Sequence, residues 1–217
     1  MIGDPFRVVA ADPAWAHRDK LPGPKRGAAK HYQCLDVPII ERFLKTQHLH
    51  DRPLADQIAR DAWLFLWRVA SMPAPALRVA AAWGFEPVSE ICWVKTVPCR
   101  SCLGKGYTLF FTRDGKGHRE WCAACDGRGW RPTHKAMGHY VRNQHEICLV
   151  CARGKASSLR LRRDAPSVIY APQLEHSRKP DAMAELIESL VPGPRLELFG
   201  RRARPGWTVL GDELEDA

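Results

Sequence analysis

The residues best placed to do chemistry are Asp12-Pro13-Ala14-Trp15. They follow residues 6–11 (FRVVAA), an apolar run of the kind that forms a buried strand. A carboxylate, a proline and an indole thus stand where a strand should end, and in open α/β sheets ligands bind beyond the carboxyl ends of strands. There Asp12 could accept a hydrogen bond from the amino group of a planar base, the Pro13 carbonyl could accept a second, and the Trp15 ring could stack on the base. Asp-Pro is also ordinary turn chemistry, so the rest of the chain has to decide.

A second constellation is duplicated. Cys99-Arg-Ser-Cys102-Leu-Gly-Lys-Gly106 is matched by Cys122-Ala-Ala-Cys125-Asp-Gly-Arg-Gly129, two copies of CxxCxGxG with 19 residues between the inner cysteines. Each CxxC turn can aim two thiolates at one metal, and four thiolates make a closed tetrahedral zinc site with no position open for catalysis. Residues 99–130 therefore read as a zinc-binding insertion held by Cys99, Cys102, Cys122 and Cys125. Arg113, Lys116, His118 and Arg119 lie between the knuckles, so the finger is basic and suited either to gripping nucleic acid or to a purely structural role. Cys148 and Cys151 share the CxxC spacing but fall in an apolar run (residues 146–152) that reads as a strand, where residues three apart face opposite sides. They are expected to be buried small hydrophobes, as are Cys34 and Cys92.

The elements that must position these groups follow from pattern. Residues 63–67 (WLFLW) suit an inner strand, residues 37–44 and 53–60 suit helices, and residues 73–83 suit a helix closed by Gly84. Strands are expected at 88–96, 146–152, 167–171, 194–201 and 207–210, with a helix over 180–190. With the first strand and residues 63–67 this makes seven strands, in a strand-helix rhythm that points to a doubly wound parallel sheet. The class is α/β, one domain over 1–217 interrupted by the 99–130 insertion. Lys95 falls at a strand's carboxyl end. Ser177 and Lys179 precede a helix, where an anionic group can be held. Glu197 lies inside an apolar strand and needs a partner, which a ribose hydroxyl pair or Arg201 would supply. Residues 18–32 form a Gly-, Pro- and Lys/Arg-rich loop after the corner, with Tyr32 its aromatic most apt to reach a substrate.

The 33 Lys and Arg against 24 Asp and Glu give a net charge of +9, which favours a polyanionic partner, nucleic acid first. No apolar run approaches a membrane span, and the start of the chain lacks a signal-peptide pattern. A cytoplasmic protein is expected, in which eight cysteines are not a disulfide framework.

Taken in order, VVAADPAW, AWLFLWRV, AWGFEPVSEICWVKT, GHYVRNQHEICLVCARG, HSRKPDAMAELIESLVPGPRLELFGR and PGWTVLGDE resemble the MT-A70 family of S-adenosylmethionine-dependent adenine-N6 methyltransferases. HSRKP and PGPRLELFGR side with its bacterial and phage members. The resemblance implies a Rossmann-like methyltransferase fold with permuted motif order. It implies a catalytic role for Asp12, Pro13 and Trp15, with Ala14 replacing the family's second proline. It puts Lys179, Glu197, Phe199 and Arg201 at the cofactor, and Lys95 and Glu146 at strand ends lining the same pocket; Ser177 and Asp212 are added to the cofactor candidates and Tyr32 to the substrate candidates. Asp212 and Glu213 stand where amides are often found. DNA is the expected substrate and RNA the alternative. A non-catalytic nucleic-acid-binding subunit and a zinc-dependent interaction module are the competing classes. A homodimer would fit, because small methyltransferases of this kind often need a second subunit to hold substrate.

Overall fold

A computed structural model of the chain describes residues 3–16, 34–133, 140–173 and 178–211. In chain order the elements are β1 (Phe6–Ala11), α1 (Val37–Thr46), β2 (His48–Leu49), β3 (Arg52–Pro53), β4 (Ile58–Arg68), α2 (Pro73–Ala82), β5 (Glu86–Pro98), β6 (Tyr107–Phe111), β7 (Gly117–Trp121), β8 (Trp130–Pro132), β9 (His145–Arg153), β10 (Val168–Pro172), α3 (Asp181–Leu190), β11 (Arg195–Leu198) and β12 (Trp207–Leu210). They divide into two compact units. The larger comprises Met1–Cys92, Glu146–Ser167 and Ala184–Ala217, and the smaller Trp93–His145 and Val168–Met183.

In the larger unit the strands lie in the order β5-β9-β4-β1-β11-β12. β1 is the parallel centre, with Ala11 beside Leu66 of β4 and Leu198 of β11. β12 extends the parallel set, Leu198 pairing with Leu210. Val8, Val9 and Ala11 are fully buried, as are Leu64, Phe65 and Leu66. Such continuous apolar runs are what inner strands need when both sheet faces are covered. α1 and α2 supply Ile40, Leu44, Ala76, Val79 and Ala80 to one core cluster with Val9, Leu64, Leu66, Leu196 and Leu198. α3 buries Leu186, Ile187 and Leu190. It is tied to the last strands through Trp207, whose indole N–H donates to Glu188 Oε1 at 2.7 Å, and through Arg195, which donates to the Val191 carbonyl at 3.1 Å.

The α/β class and Rossmann-like architecture expected from sequence hold, with three differences. The sheet is mixed rather than parallel, because β9 runs antiparallel to β4 with Ile147 beside Arg68. The chain enters β9 next to the carboxyl end of β4, and a strand entered at that end must run back. The expected helix over 53–60 is one 3-10 turn, Leu54–Gln57, followed directly by the 11-residue β4. β-branched Ile58 and the aromatics behind it favour strand as soon as one face can be buried.

The third difference is in the smaller unit, where β8 is a strand beyond the expected seven. It pairs antiparallel with the end of β5, Pro98 beside Trp130. β10 lies alongside β5, where the buried Trp93 indole donates to the Ala171 carbonyl at 3.0 Å. Beyond β5 the chain enters the first cysteine knuckle, the β6–β7 hairpin and the second knuckle. Among the described residues no helix is long and apolar enough to cross a membrane.

Candidate functional site

The carboxyl ends of β1, β4, β11 and β12 converge on one edge of the larger unit's sheet, and the Asp12 corner stands there. The Asp12 N–H donates to the Leu198 carbonyl at 3.4 Å, which ties the corner to the end of β11. Trp15 N–H donates to the Pro13 carbonyl at 2.8 Å, closing a tight turn. The buried Pro13 carbonyl thus accepts one hydrogen bond from within the turn, and a carbonyl oxygen has a second lone pair. Leu35 N–H donates to the Ala14 carbonyl at 2.7 Å and Ala16 N–H to the Leu35 carbonyl at 3.0 Å, so a short parallel bridge holds the turn from outside. Asp12 is half-buried.

Trp15 has a role that its sequence position did not suggest. It is only 2 % exposed and packs in the core cluster with Ile40 and Leu66. Its indole N–H donates to the Trp67 carbonyl at 3.0 Å. A buried indole with its one donor satisfied is a rigid anchor, and here it fixes the corner to the end of β4. Sequence reading missed Trp67, because a backbone carbonyl leaves no trace in residue type.

At the end of β11, Leu196 and Leu198 point into the core and Glu197 lies half-buried on the opposite face. Regular alternation would put Phe199 on the Glu197 side. Instead Phe199 has φ +63°, and its ring meets Phe43 of α1 with centroids 4.4 Å apart. A bulky residue in the left-handed region is strained and persists only where its surroundings hold it. Here the next residue must be glycine. A Cβ on Gly200 would come within 2.3 Å of Val209 Cγ1, and one on Gly211 within 1.9 Å of the Gly200 carbonyl oxygen. Two backbones thus meet without side chains beside Glu197, leaving the half-buried Arg201 at the rim.

Glu146 joins the same edge, since Ile147 lies beside Arg68 and Glu146 is one residue further out. Arg68 was not anticipated. It sits at the end of β4, with its guanidinium 3.2 Å from Glu90. The larger unit therefore brings together Asp12, Pro13, Trp15, Glu146, Glu197, Phe199 and Arg201. Lys95 and Lys179 belong to the smaller unit. There the Lys95 ammonium lies 5.2 Å from the Trp93 ring centre, and Lys179 is half-buried ahead of α3. Tyr32, Ser177, Asp212 and Glu213 lie outside the described residues.

The cysteine knuckles form a second centre. The four sulfurs of Cys99, Cys102, Cys122 and Cys125 lie within 4.8 Å of one another, and all four residues are buried. Cys99 and Cys122 sulfurs are 3.9 Å apart, Cys102 and Cys125 sulfurs 3.8 Å. A tetrahedron with metal–sulfur legs of about 2.3 Å has edges of about 3.8 Å, so the thiols stand where a four-thiolate zinc site needs them. Gly106 N–H donates to Cys102 Sγ at 3.2 Å. Burial pushes the Cys122 thiol up. At Cys99 burial acts in the same direction, but hydrogen bonds from the Cys102 and Ser101 backbone outweigh it and bring the thiol down to about 6.

The knuckles are related by a local pseudo-twofold that explains the duplicated glycines. Cys99 N–H donates to the Gly129 carbonyl at 2.8 Å, and Cys122 N–H to the Gly106 carbonyl at 3.0 Å. A Cβ on Gly106 would fall 2.3 Å from the Gly127 carbonyl oxygen, and one on Gly129 2.3 Å from that of Gly104. Cys148 and Cys151 are fully buried in β9, as expected. Cys34 and Cys92 are half-buried, a correction to the expectation that they would be enclosed. Cys34 sits beside the corner, outside any helix or strand, and Cys92 lies midway along β5.

A Rossmann-like sheet with an acid–proline–tryptophan corner at its carboxyl edge defines the class of protein. The likeness to the MT-A70 family holds beyond the motifs, since the family's model matches residues 120–213. The match begins inside the 99–130 segment, at Glu120. The chain is 28% identical over 213 residues to the N(6)-adenosine-methyltransferase catalytic subunit METTL3 of Homo sapiens, covering 97% of this chain and 28% of that protein. It is 28% identical over 216 residues to the N(6)-adenosine-methyltransferase MT-A70-like protein of Drosophila melanogaster, covering 97% and 27%. With the Type II methyltransferase M.MunI of Mycoplasma sp it shares 24% identity over 219 residues, covering 97% of this chain and 78% of that one. The chain thus spans little more than a quarter of the length of the METTL3-type relatives.

Proposed function

We infer that the protein is an adenine-N6 methyltransferase that transfers a methyl group from S-adenosylmethionine to the exocyclic amino group of adenine in DNA. The observation that carries this reading is the Asp12 corner, a half-buried carboxylate beside a proline carbonyl, pinned beyond the ends of parallel strands. An adenine amino nitrogen is a weak nucleophile because its lone pair is delocalised into the ring. Accepting its two hydrogens at Asp12 and at the Pro13 carbonyl favours a more tetrahedral nitrogen and holds it in one orientation, so positioning and electrostatics do most of the catalysis. Trp15 serves as a positioning residue through its bond to the Trp67 carbonyl.

The end of β11 suits the cofactor. Glu197 is a half-buried carboxylate for the ribose hydroxyls, and the close approach of Gly200 and Gly211 fixes the strand ends beside it. Phe199 and Arg201 flank it, and Lys179 is assigned to the cofactor's carboxylate, with Ser177 and Asp212 as further candidates. When bound, S-adenosylmethionine supplies a methyl group activated by its sulfonium. Lys95, Glu146 and Tyr32 are assigned to substrate. The four-cysteine centre is proposed to hold one structural Zn2+. The free thiols go with a cytoplasmic setting, and a homodimer is part of the proposal.

DNA is preferred because a type II methyltransferase is matched over 78% of its own length, and the HSRKP and PGPRLELFGR phrases side with bacterial and phage members. RNA is the second reading, favoured by the higher identity to the N(6)-adenosine-methyltransferases. The deciding experiment offers labelled S-adenosylmethionine with matched single-stranded DNA, duplex DNA and RNA, followed by nucleoside mass analysis. N6-methyladenine in DNA is the expected product. Label in RNA alone moves the substrate to RNA, and no label anywhere despite cofactor binding overturns the catalytic reading.

A further inference from the structure

The β6–β7 hairpin is the part of the molecule that the proposed reaction does not use. The register pairs Tyr107 with Trp121, Leu109 with Arg119 and Phe111 with Gly117. Paired residues share a face of a two-stranded ribbon, and residues two apart along a strand share it too. One face therefore carries Tyr107, Leu109, Phe111, Arg119 and Trp121. Three of these are large and exposed: Phe111 at 74 %, Trp121 at 71 % and Leu109 at 50 %. A short ribbon that shows this much aromatic surface marks a binding face rather than ordinary surface.

Two of the rings lie against glycines. A Cβ on Gly127 would come within 2.8 Å of the Trp121 ring, and one on Gly117 within 3.3 Å of the Phe111 ring, so each ring lies with an edge or face against a glycine. The Arg119 guanidinium stacks over Tyr107 at 4.7 Å from the ring centre. Tyr107 and Phe111 are four residues apart on one strand, about 13 Å. Residues 99–130 hold six Lys and Arg against three Asp and Glu. Two of those acids, Asp114 and Asp126, are engaged by Lys116 at 3.2 Å and Arg128 at 2.8 Å.

We propose that this face is a stacking platform for the unpaired bases of a nucleic-acid strand, with the hairpin's basic residues meeting its phosphates. Flat aromatics interleaved with guanidinium groups are what sequence-tolerant single-strand binding uses. A duplex hides its base faces and offers these rings nothing to stack on. The proposal rests on the reading of nucleic acid as substrate and adds where a strand is held outside the reacting centre.

The test uses the full zinc-loaded chain and fluorescein-labelled 12-residue oligonucleotides, single-stranded and duplex, without S-adenosylmethionine. The double variant Phe111→Ala/Trp121→Ala should lose at least tenfold in single-strand affinity, with duplex affinity changed less than twofold. The ring-keeping variant Phe111→Tyr/Trp121→Phe should restore binding. Photocrosslinking of a 5-iodouracil strand to the wild-type chain should map to residues 107–121, which reads the contact even if the alanine variant loses zinc. Unchanged affinity in the alanine variant, or a crosslink elsewhere, overturns the platform. So does a shift from dimer to monomer with nucleic-acid affinity intact, which would assign the face to a second copy. Methyl transfer without a hairpin crosslink sinks this inference alone, and a hairpin crosslink without methyl transfer sinks only the proposed reaction.

Discussion

In the proposed mechanism one carboxylate, that of Asp12, separates binding from chemistry. The residue's backbone N–H is tied to the Leu198 carbonyl at the end of β11. Asp12→Ala is expected to lower methyl transfer by roughly 100-fold or more, the scale for removing one polar group aimed at a reacting atom, while S-adenosylmethionine affinity by calorimetry changes less than about threefold. Turnover within tenfold of wild type would remove Asp12 from the mechanism. Cys151 makes a prediction of a different kind. Burial pushes its thiol up to about 12 from 9.0. The folded chain keeps a proton that the unfolded chain releases above about pH 9, so this group's contribution is whole below pH 9 and is lost between pH 9 and 12. The urea midpoint of wild type should therefore fall faster than that of Cys151→Ala between pH 8 and 10.5. Parallel curves would mean that Cys151 ionises as freely in the native state as in the unfolded one.

Two elements depend on glycine for reasons that side-chain pattern cannot reveal. At the end of the parallel sheet, Gly211 meets the Gly200 carbonyl so closely that any side chain displaces backbone. Gly211→Ala should cost about 1–3 kcal/mol, read as a fall of several degrees in melting temperature. An unchanged transition would show that the strand ends can part without cost. In the knuckles the glycines of each copy face the carbonyls of the other, so the fold is a mutual fit around the sulfurs. Cys102→Ser should reduce the zinc content from one equivalent to well below half by elemental analysis. It should also abolish hydrogen-exchange protection across 99–132 while β1 and β4 keep theirs. Full zinc retention in that variant would assign the metal to other ligands.

These cases mark what the sequence could reveal. The duplicated CxxCxGxG carried both residue type and spacing, and the geometry of the four sulfurs followed from it. The strand runs at β1 and β4 were legible because inner strands must be apolar throughout. Illegible were the antiparallel entry of β9, set by where the chain arrives rather than by its residues, and the burial of Trp15, set by a carbonyl 52 residues away. The swing of Phe199 onto α1 was hidden too, since one positive φ overrides the alternation that a pattern reading assumes.

At the scale of the whole molecule the net charge of +9 is the remaining observable. Charge of this size raises affinity for any polyanion, so affinity alone cannot tell a specific basic contact from a general field. Salt dependence can. Each phosphate neutralised on a single strand releases counterion and contributes about −0.7 to the slope of log affinity against log salt. Arg113 and Lys116 sit at the tip of the β6–β7 hairpin, and the exposed Lys116–Asp114 pair is weak enough to yield to a phosphate. If both side chains meet phosphates, Arg113→Ala/Lys116→Ala should make the single-strand slope between 50 and 200 mM salt shallower by about 1.4. Its extrapolated affinity at high salt should stay unchanged, because stacking on Phe111 and Trp121 involves no counterions. A lower affinity at every salt concentration with the same slope would mean that the tip residues support the hairpin's shape and touch no phosphate. An unchanged curve would move the electrostatic contact to another surface of the protein.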